Sequence, residues 1–253
     1  MPSRVVFELC AESREACLAA RAGGADRLEL CRDLSVGGLT PDVLLIRHAA
    51  EGSGVPVHVL LRPTAETARA TPEILTAVKA SMQASREAGA AGFVLGFLTA
   101  EGRVDLENTR ALVAKAGPLP VTFHRAFDAT VDLAVALEDV IATGCRRVLT
   151  SGGAADVLSG AATLARLVRQ AGSRIEVMAG GGLSFENAPI VVQRTGATHF
   201  HASLRQEVAP ATATHRKETA EESYRNRIAY MVRILSDARE LIGSEERRSS
   251  THG

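Results

Sequence analysis

Eight short β-rich runs alternate with longer amphipathic stretches along the 253 residues of this chain. The runs cover residues 4–10, 26–31, 57–62, 92–97, 121–125, 146–151, 175–179 and 197–203. Each has strand length and is bounded by Gly, Pro or polar residues. Strands that alternate with helices across short turns are parallel and joined by right-handed crossovers. Eight evenly sized units of about 30 residues predict one closed (β/α)₈ barrel of the TIM type, rather than an open doubly wound sheet. The barrel domain is expected over residues 1–243, followed by a disordered tail at 244–253.

The intervening stretches carry helix signals. Ser13 caps a helix that stops at Gly23-Gly24. Thr40-Pro41 and Thr71-Pro72 each read as an N-cap followed by Pro at the first helical position. Asp105 caps a helix that ends at Gly117-Pro118. Asn187 starts the seventh helix better than Ser184, because Pro189 would otherwise sit too deep. The eighth helix is expected over residues 218–242, with Tyr224, Ile228, Met231, Leu235, Ala238 and Ile242 on one face. Packing onto the barrel explains that face most simply, and it leaves room for a homo-oligomer. Residues 206–219 read as a polar loop.

Charge and composition exclude several partners. Lys plus Arg and Asp plus Glu both number 29, so the formal net charge is zero. Nucleic acid and anionic membrane surfaces are disfavoured on that ground. No apolar run approaches the roughly 18 residues of a spanning helix. The four cysteines, Cys10, Cys17, Cys31 and Cys145, are too sparse for a disulfide scaffold, which suggests a reducing, cytoplasmic setting.

In such a barrel the strand C-termini and the loops after them form the site. Side-chain alternation puts Glu8 and Cys10 on one face of the first strand, and Glu29 and Cys31 on one face of the second. Thiolates on adjacent strands suit a soft ion such as Cu(I), although buried cysteines also serve as small hydrophobes. His124, Arg125 and Asp128 crowd the end of the fifth strand as a proton carrier, an anion clamp and a carboxylate, or as an ion-paired structural cluster. Arg62 ends the third strand, ready to hold an anion or to pair with Glu8 or Glu29. Ser151-Gly152 and Gly180-Gly181-Gly182 follow strands six and seven, where backbone N–H groups can approach an anion. His201 and Ser203 end strand eight. His58 faces away from this end and reads as structural. No strand carries a lysine, which disfavours Schiff-base chemistry.

The motifs FELC (7–10), GADRLELC (24–31), GGLTP (37–41), Arg62-Pro63, VTFHRAFD (121–128), RVLTSG (147–152), MAGGG (178–182), Asn187 and FHAS (200–203) occur in that order. Together they resemble the copper homeostasis protein family usually called CutC, over about residues 4–205. The resemblance implies a barrel fold, a cytoplasmic role in copper homeostasis, and Cys10 and Cys31 as Cu(I) ligands at the rim. The stretch Thr64–Ala70 departs from the family's usual basic, paired-glycine, Asp and aromatic pattern, which alters the loop over the third strand. The alternative is a barrel enzyme acting on a small anionic or phosphorylated metabolite. Glu8 or Glu29 would be its carboxylate, His124 its acid or base, and Arg62 and Arg125 its clamps. Whether the chain is an enzyme stays open at this level.

Overall fold

The computed structural model describes residues 4–65, 68–204 and 219–250. Among these residues eight parallel strands close into a barrel in chain order: β1 (Val6–Ala11), β2 (Arg27–Leu30), β3 (Val57–Leu60), β4 (Gly92–Leu95), β5 (Val121–Phe123), β6 (Arg147–Thr150), β7 (Glu176–Gly180) and β8 (His199–Ala202). β8 pairs back onto β1, with Glu8 opposite His201, and closes the ring. The helices follow one per strand: α1 (Arg14–Gly23), α2 (Val43–Gly52), α3 (Pro72–Glu87), α4 (Leu106–Ala116), α5 (Leu133–Thr143), α6 (Ala161–Ala171), α7 (Ala188–Thr195) and α8 (Ala220–Ser250). The (β/α)₈ architecture is the one the alternation predicts.

Local chemistry accounts for most helix ends. Ser13, Thr71 and Asp105 accept hydrogen bonds from Ala16, Ile74 and Asn108 backbone N–H groups, as N-caps do. The second helix departs from expectation. Its cap is Asp42 rather than Thr40. The Thr40 hydroxyl is engaged instead by the Arg62 backbone N–H, 2.8 Å away. The last helix also departs, running to Ser250 into the stretch expected as a tail. Gly243 reads as a stop, but the Glu and Arg residues after it are good helix formers. The expected loop at 206–219 lies, apart from Thr219, outside the described residues, as do Glu66 and Thr67 of the altered loop.

The core lies between the strands' outward faces and the helices. Phe7, Phe93, Phe123, Phe127 and Phe200 are among its largest fully buried side chains. Ile228, Met231, Leu235 and Ala238 of α8 are buried within the same core, so the inward face of that helix is used by its own barrel. The approach to α1 is close: a Cβ on Gly23 would stand 2.5 Å from the Ile228 Cβ. Among the described residues no helix is long and apolar enough to cross a membrane.

The barrel's interior is polar for much of its depth. Arg27 on β2 donates to the Met178 sulfur on β7, and Arg147 on β6 lies 3.5 Å from the His58 ring on β3. These strand pairs are not neighbours, so the contacts cross the lumen. Period-2 alternation therefore sends Arg27, Glu29 and Cys31 inward together.

Candidate functional site

The register of β1 and β2 places Cys10 opposite Glu29, with Cys31 just past the end of β2. The two sulfurs are 3.7 Å apart and both are buried. Cys10 donates to Glu29 Oε1 and Cys31 to the Ala11 carbonyl, each at 3.7 Å. Leu60, Val94 and Leu34 pack around the pair. The hydrogen bond with Cys31, then burial and the Glu29 charge, push the Cys10 thiol well above its ordinary value. Without a metal the thiol therefore stays protonated.

Glu29 stands out among the buried carboxylates. Among the described residues its Oε2 has no hydrogen-bond partner. Burial pushes this carboxyl up to about 7; the His201 charge opposes the rise and the Glu8 charge adds to it. Glu8 is more deeply placed and fully paired. Arg27 donates to its Oε2, and His201 Nδ1 lies 2.8 Å from its Oε1. Burial alone would raise Glu8, but Arg27 and His201 reverse that and hold it well below the usual carboxylate range. For His201, burial disfavours the imidazolium, but the Glu29 charge and the Glu8 hydrogen bond and charge outweigh it and raise its pKa. One ligand atom each from Cys10, Glu29 and His201 lies within 4.8 Å of the others. A donor set of thiol, carboxylate and imidazole, with an orphaned buried oxygen, fits a bound metal ion.

A cavity of about 560 Å³ opens above this cluster. Cys10, Glu29, Arg62, His124, Arg125, Gly181, Gly182, His201 and Ser203 line it, together with Leu34, Leu60, Leu149 and Leu183. Six residues singled out in the sequence stand behind this wall. Glu8 sits below with Arg27, and Cys31 lies behind Cys10. Asp128 is a structural hub, accepting from the Ser151 and Gly153 backbone N–H groups and the Thr150 and Ser151 hydroxyls. The Ser151 Oγ also lies 2.6 Å from the Ala154 carbonyl oxygen, which competes with Asp128 for its one proton. Gly152 and Gly180 answer to packing: a Cβ would stand 2.6 Å from the Gly160 carbonyl oxygen or 2.7 Å from the Leu149 Cδ1.

The two cavity arginines are braced differently. Arg62 pairs with neither Glu8 nor Glu29; it donates to the carbonyls of Val36, Gly38 and Ala65. Arg125 Nε donates to Asp128 at 2.8 Å and its Nη2 to the Ser151 hydroxyl at 3.0 Å. Its guanidinium presses on Gly181, where φ is +100° and a Cβ would lie 2.8 Å from Cζ. His124 caps a 3₁₀ turn (Arg125–Ala129), its Nδ1 accepting from the Ala126 N–H at 3.1 Å. Nε2 therefore carries the ring proton. Burial, then the Arg62 charge, push this imidazole down to about 4. It is a neutral donor near neutrality.

Below the cavity lies a second polar layer that the sequence reading missed, except for His58. Arg147 Nε lies 2.6 Å from Glu176 Oε2, and Arg147 also donates to Thr122. His199 Nε2 lies 3.5 Å from Glu176. His58 is pushed down to about 3, by burial first and then by Arg147 and Arg27 against the Glu8 charge. The signal was present in strand parity: Arg27 shares its face with Glu29, and Arg147 with Ser151.

The sequence pattern of the CutC family matches residues 5–206. The "family protein CutC" of Chromobacterium violaceum is 44% identical over 206 residues, spanning 81% of this chain and 83% of that protein. The human "copper homeostasis protein cutC homolog" is 40% identical, spanning 79% and 73% respectively. A crystal structure of a CutC protein from Streptococcus agalactiae superposes with a TM-score of 0.74 at 29% identity, covering 79% of this chain and 98% of that one.

Proposed function

The chain belongs to the CutC family, and from that premise we propose that it serves copper homeostasis in the cytoplasm, holding Cu(I) as cargo with Cys10 and Cys31. The observation that carries this reading is the 3.7 Å approach of the two sulfurs at the edge of the cavity. Soft thiolates select Cu(I) over the harder divalent ions. Cys10 provides the open side, because it lines the cavity while Cys31 is fully buried. Glu29 and His201 are close enough to Cys10 to complete the donor set. Thiols bind metal as thiolates, so loading releases protons, and the raised Cys10 pKa makes that release part of the binding equilibrium. A reducing compartment keeps the pair available.

Competition between reduced protein and a Cu(I) chelator tests the proposal. The double variant Cys10→Ser, Cys31→Ser should bind about a thousandfold more weakly, a loss of about 4 kcal/mol. Equal affinity of the two proteins would remove the thiol pair from the account.

A further inference from the structure

We propose that the cavity beside the thiol pair is a binding site for a small hydroxylated organic anion, a carboxylated or phosphorylated polyol. Its volume of about 560 Å³ falls within the roughly 300–1,000 Å³ of small-molecule pockets. A single ion needs far less space. Leu60, Leu149 and Leu183 supply apolar wall against which a carbon skeleton packs.

Two features set the ligand's polar ends. Arg62 and Arg125 both line the cavity. Arg62 donates its hydrogen bonds to three neutral carbonyls, and among the described residues it forms no ion pair with a carboxylate. Arg125 is fixed by Asp128, Ser151 and Gly181. Guanidinium groups braced in this way are pre-organised for a carboxylate or phosphate. At the other end, Glu29 lines the same cavity with a buried oxygen that lacks a partner among the described residues. A buried acceptor of this kind calls for a donor, and a ligand hydroxyl supplies one. An anionic group at the arginines and a hydroxyl at Glu29 satisfy both ends with one molecule. This inference does not rest on copper.

Calorimetric titration of the full chain with 3-phosphoglycerate, ribose 5-phosphate and glycerate tests it. Glycerol and inorganic phosphate serve as probes that each lack one of the two features. At least one hydroxylated anion should bind saturably with Kd below about 1 mM, and at least about tenfold more tightly than either control. Ala65→Glu places a carboxylate beside Arg62 at an exposed position, and should weaken binding at least about tenfold. Arg125→Gln should act likewise. Arg166→Gln makes the same charge change on the exposed surface of α6 and should leave affinity unchanged. Melting curves accompany each variant, and Ala65→Glu decides the matter if Arg125→Gln unfolds. Failure of all three anions to bind, phosphate binding as tightly as the best of them, or equal losses in Ala65→Glu and Arg166→Gln would each overturn the proposal.

Discussion

The two ends of the barrel's interior use similar residues to opposite effect. In the lower layer, Arg27 meets Glu8 and Arg147 meets Glu176, each charge facing its counterpart. At the mouth, among the described residues, Glu29 keeps an oxygen without a partner, Arg62 binds only neutral carbonyls, and two thiols lie side by side. Paired charges in a closed interior hold the barrel together. Unpaired ones beside a cavity have capacity left for a ligand. The division follows the general rule for such barrels, in which the strand C-termini carry function and the opposite end carries stability.

The sharpest way to break this comparison is to remove a lower-layer partner. Glu8→Gln leaves Arg27 buried and uncompensated, which should cost about 3–5 kcal/mol in urea unfolding. Little loss would show that the pair is not structural.

Acid offers the next test. His58 titrates at about 3 in the folded chain, against 6.5 as its ordinary value. Below about pH 6.5 the unfolded chain therefore takes up a proton that the folded chain refuses. Stability contributed by neutral His58 is complete above that pH and is lost progressively as pH falls toward 3. The slope is at most about 1.4 kcal/mol per pH unit. Unfolding measured from pH 7 to pH 4 should show it, and His58→Gln should flatten the curve. Parallel curves for the two proteins would contradict the assignment.

Gly181→Ala is expected to cost about 1–2 kcal/mol, because it puts a side chain at positive φ and against the Arg125 guanidinium. A thermal melt together with anion titration would register both consequences. The smallest effect belongs to Glu29→Gln. It breaks no ion pair and keeps an acceptor oxygen for Cys10, so unfolding should shift by no more than about 1 kcal/mol. A loss matching that of Glu8→Gln would erase the distinction between the two ends.

The fold was legible because strand–helix alternation and two-residue parity are local signals. They were enough to bring Cys10, Glu29 and Cys31 to one face and to count eight strands. The site was legible only in part. Arg62 was read as holding an anion or pairing with Glu8 or Glu29; it pairs with neither carboxylate, and it donates to carbonyls on loops whose path no local pattern encodes. Thr40 resembled a helix cap, yet its hydroxyl serves the Arg62 backbone across the rim. His124 was read as a proton carrier from its residue type. Its burial and the Arg62 charge, both products of the folded barrel, make it a neutral donor. The Arg27–Glu8 pair could have been anticipated from parity, but which cation meets which anion depends on the stagger of the closed sheet.

X-ray absorption at the copper edge, on protein loaded with one equivalent of Cu(I), addresses the thiol pair most directly. Two sulfur scatterers in the first coordination shell, absent from the Cys10→Ser, Cys31→Ser protein, are the result expected. A shell of nitrogen and oxygen alone, or the same sulfur signal in both proteins, would contradict it.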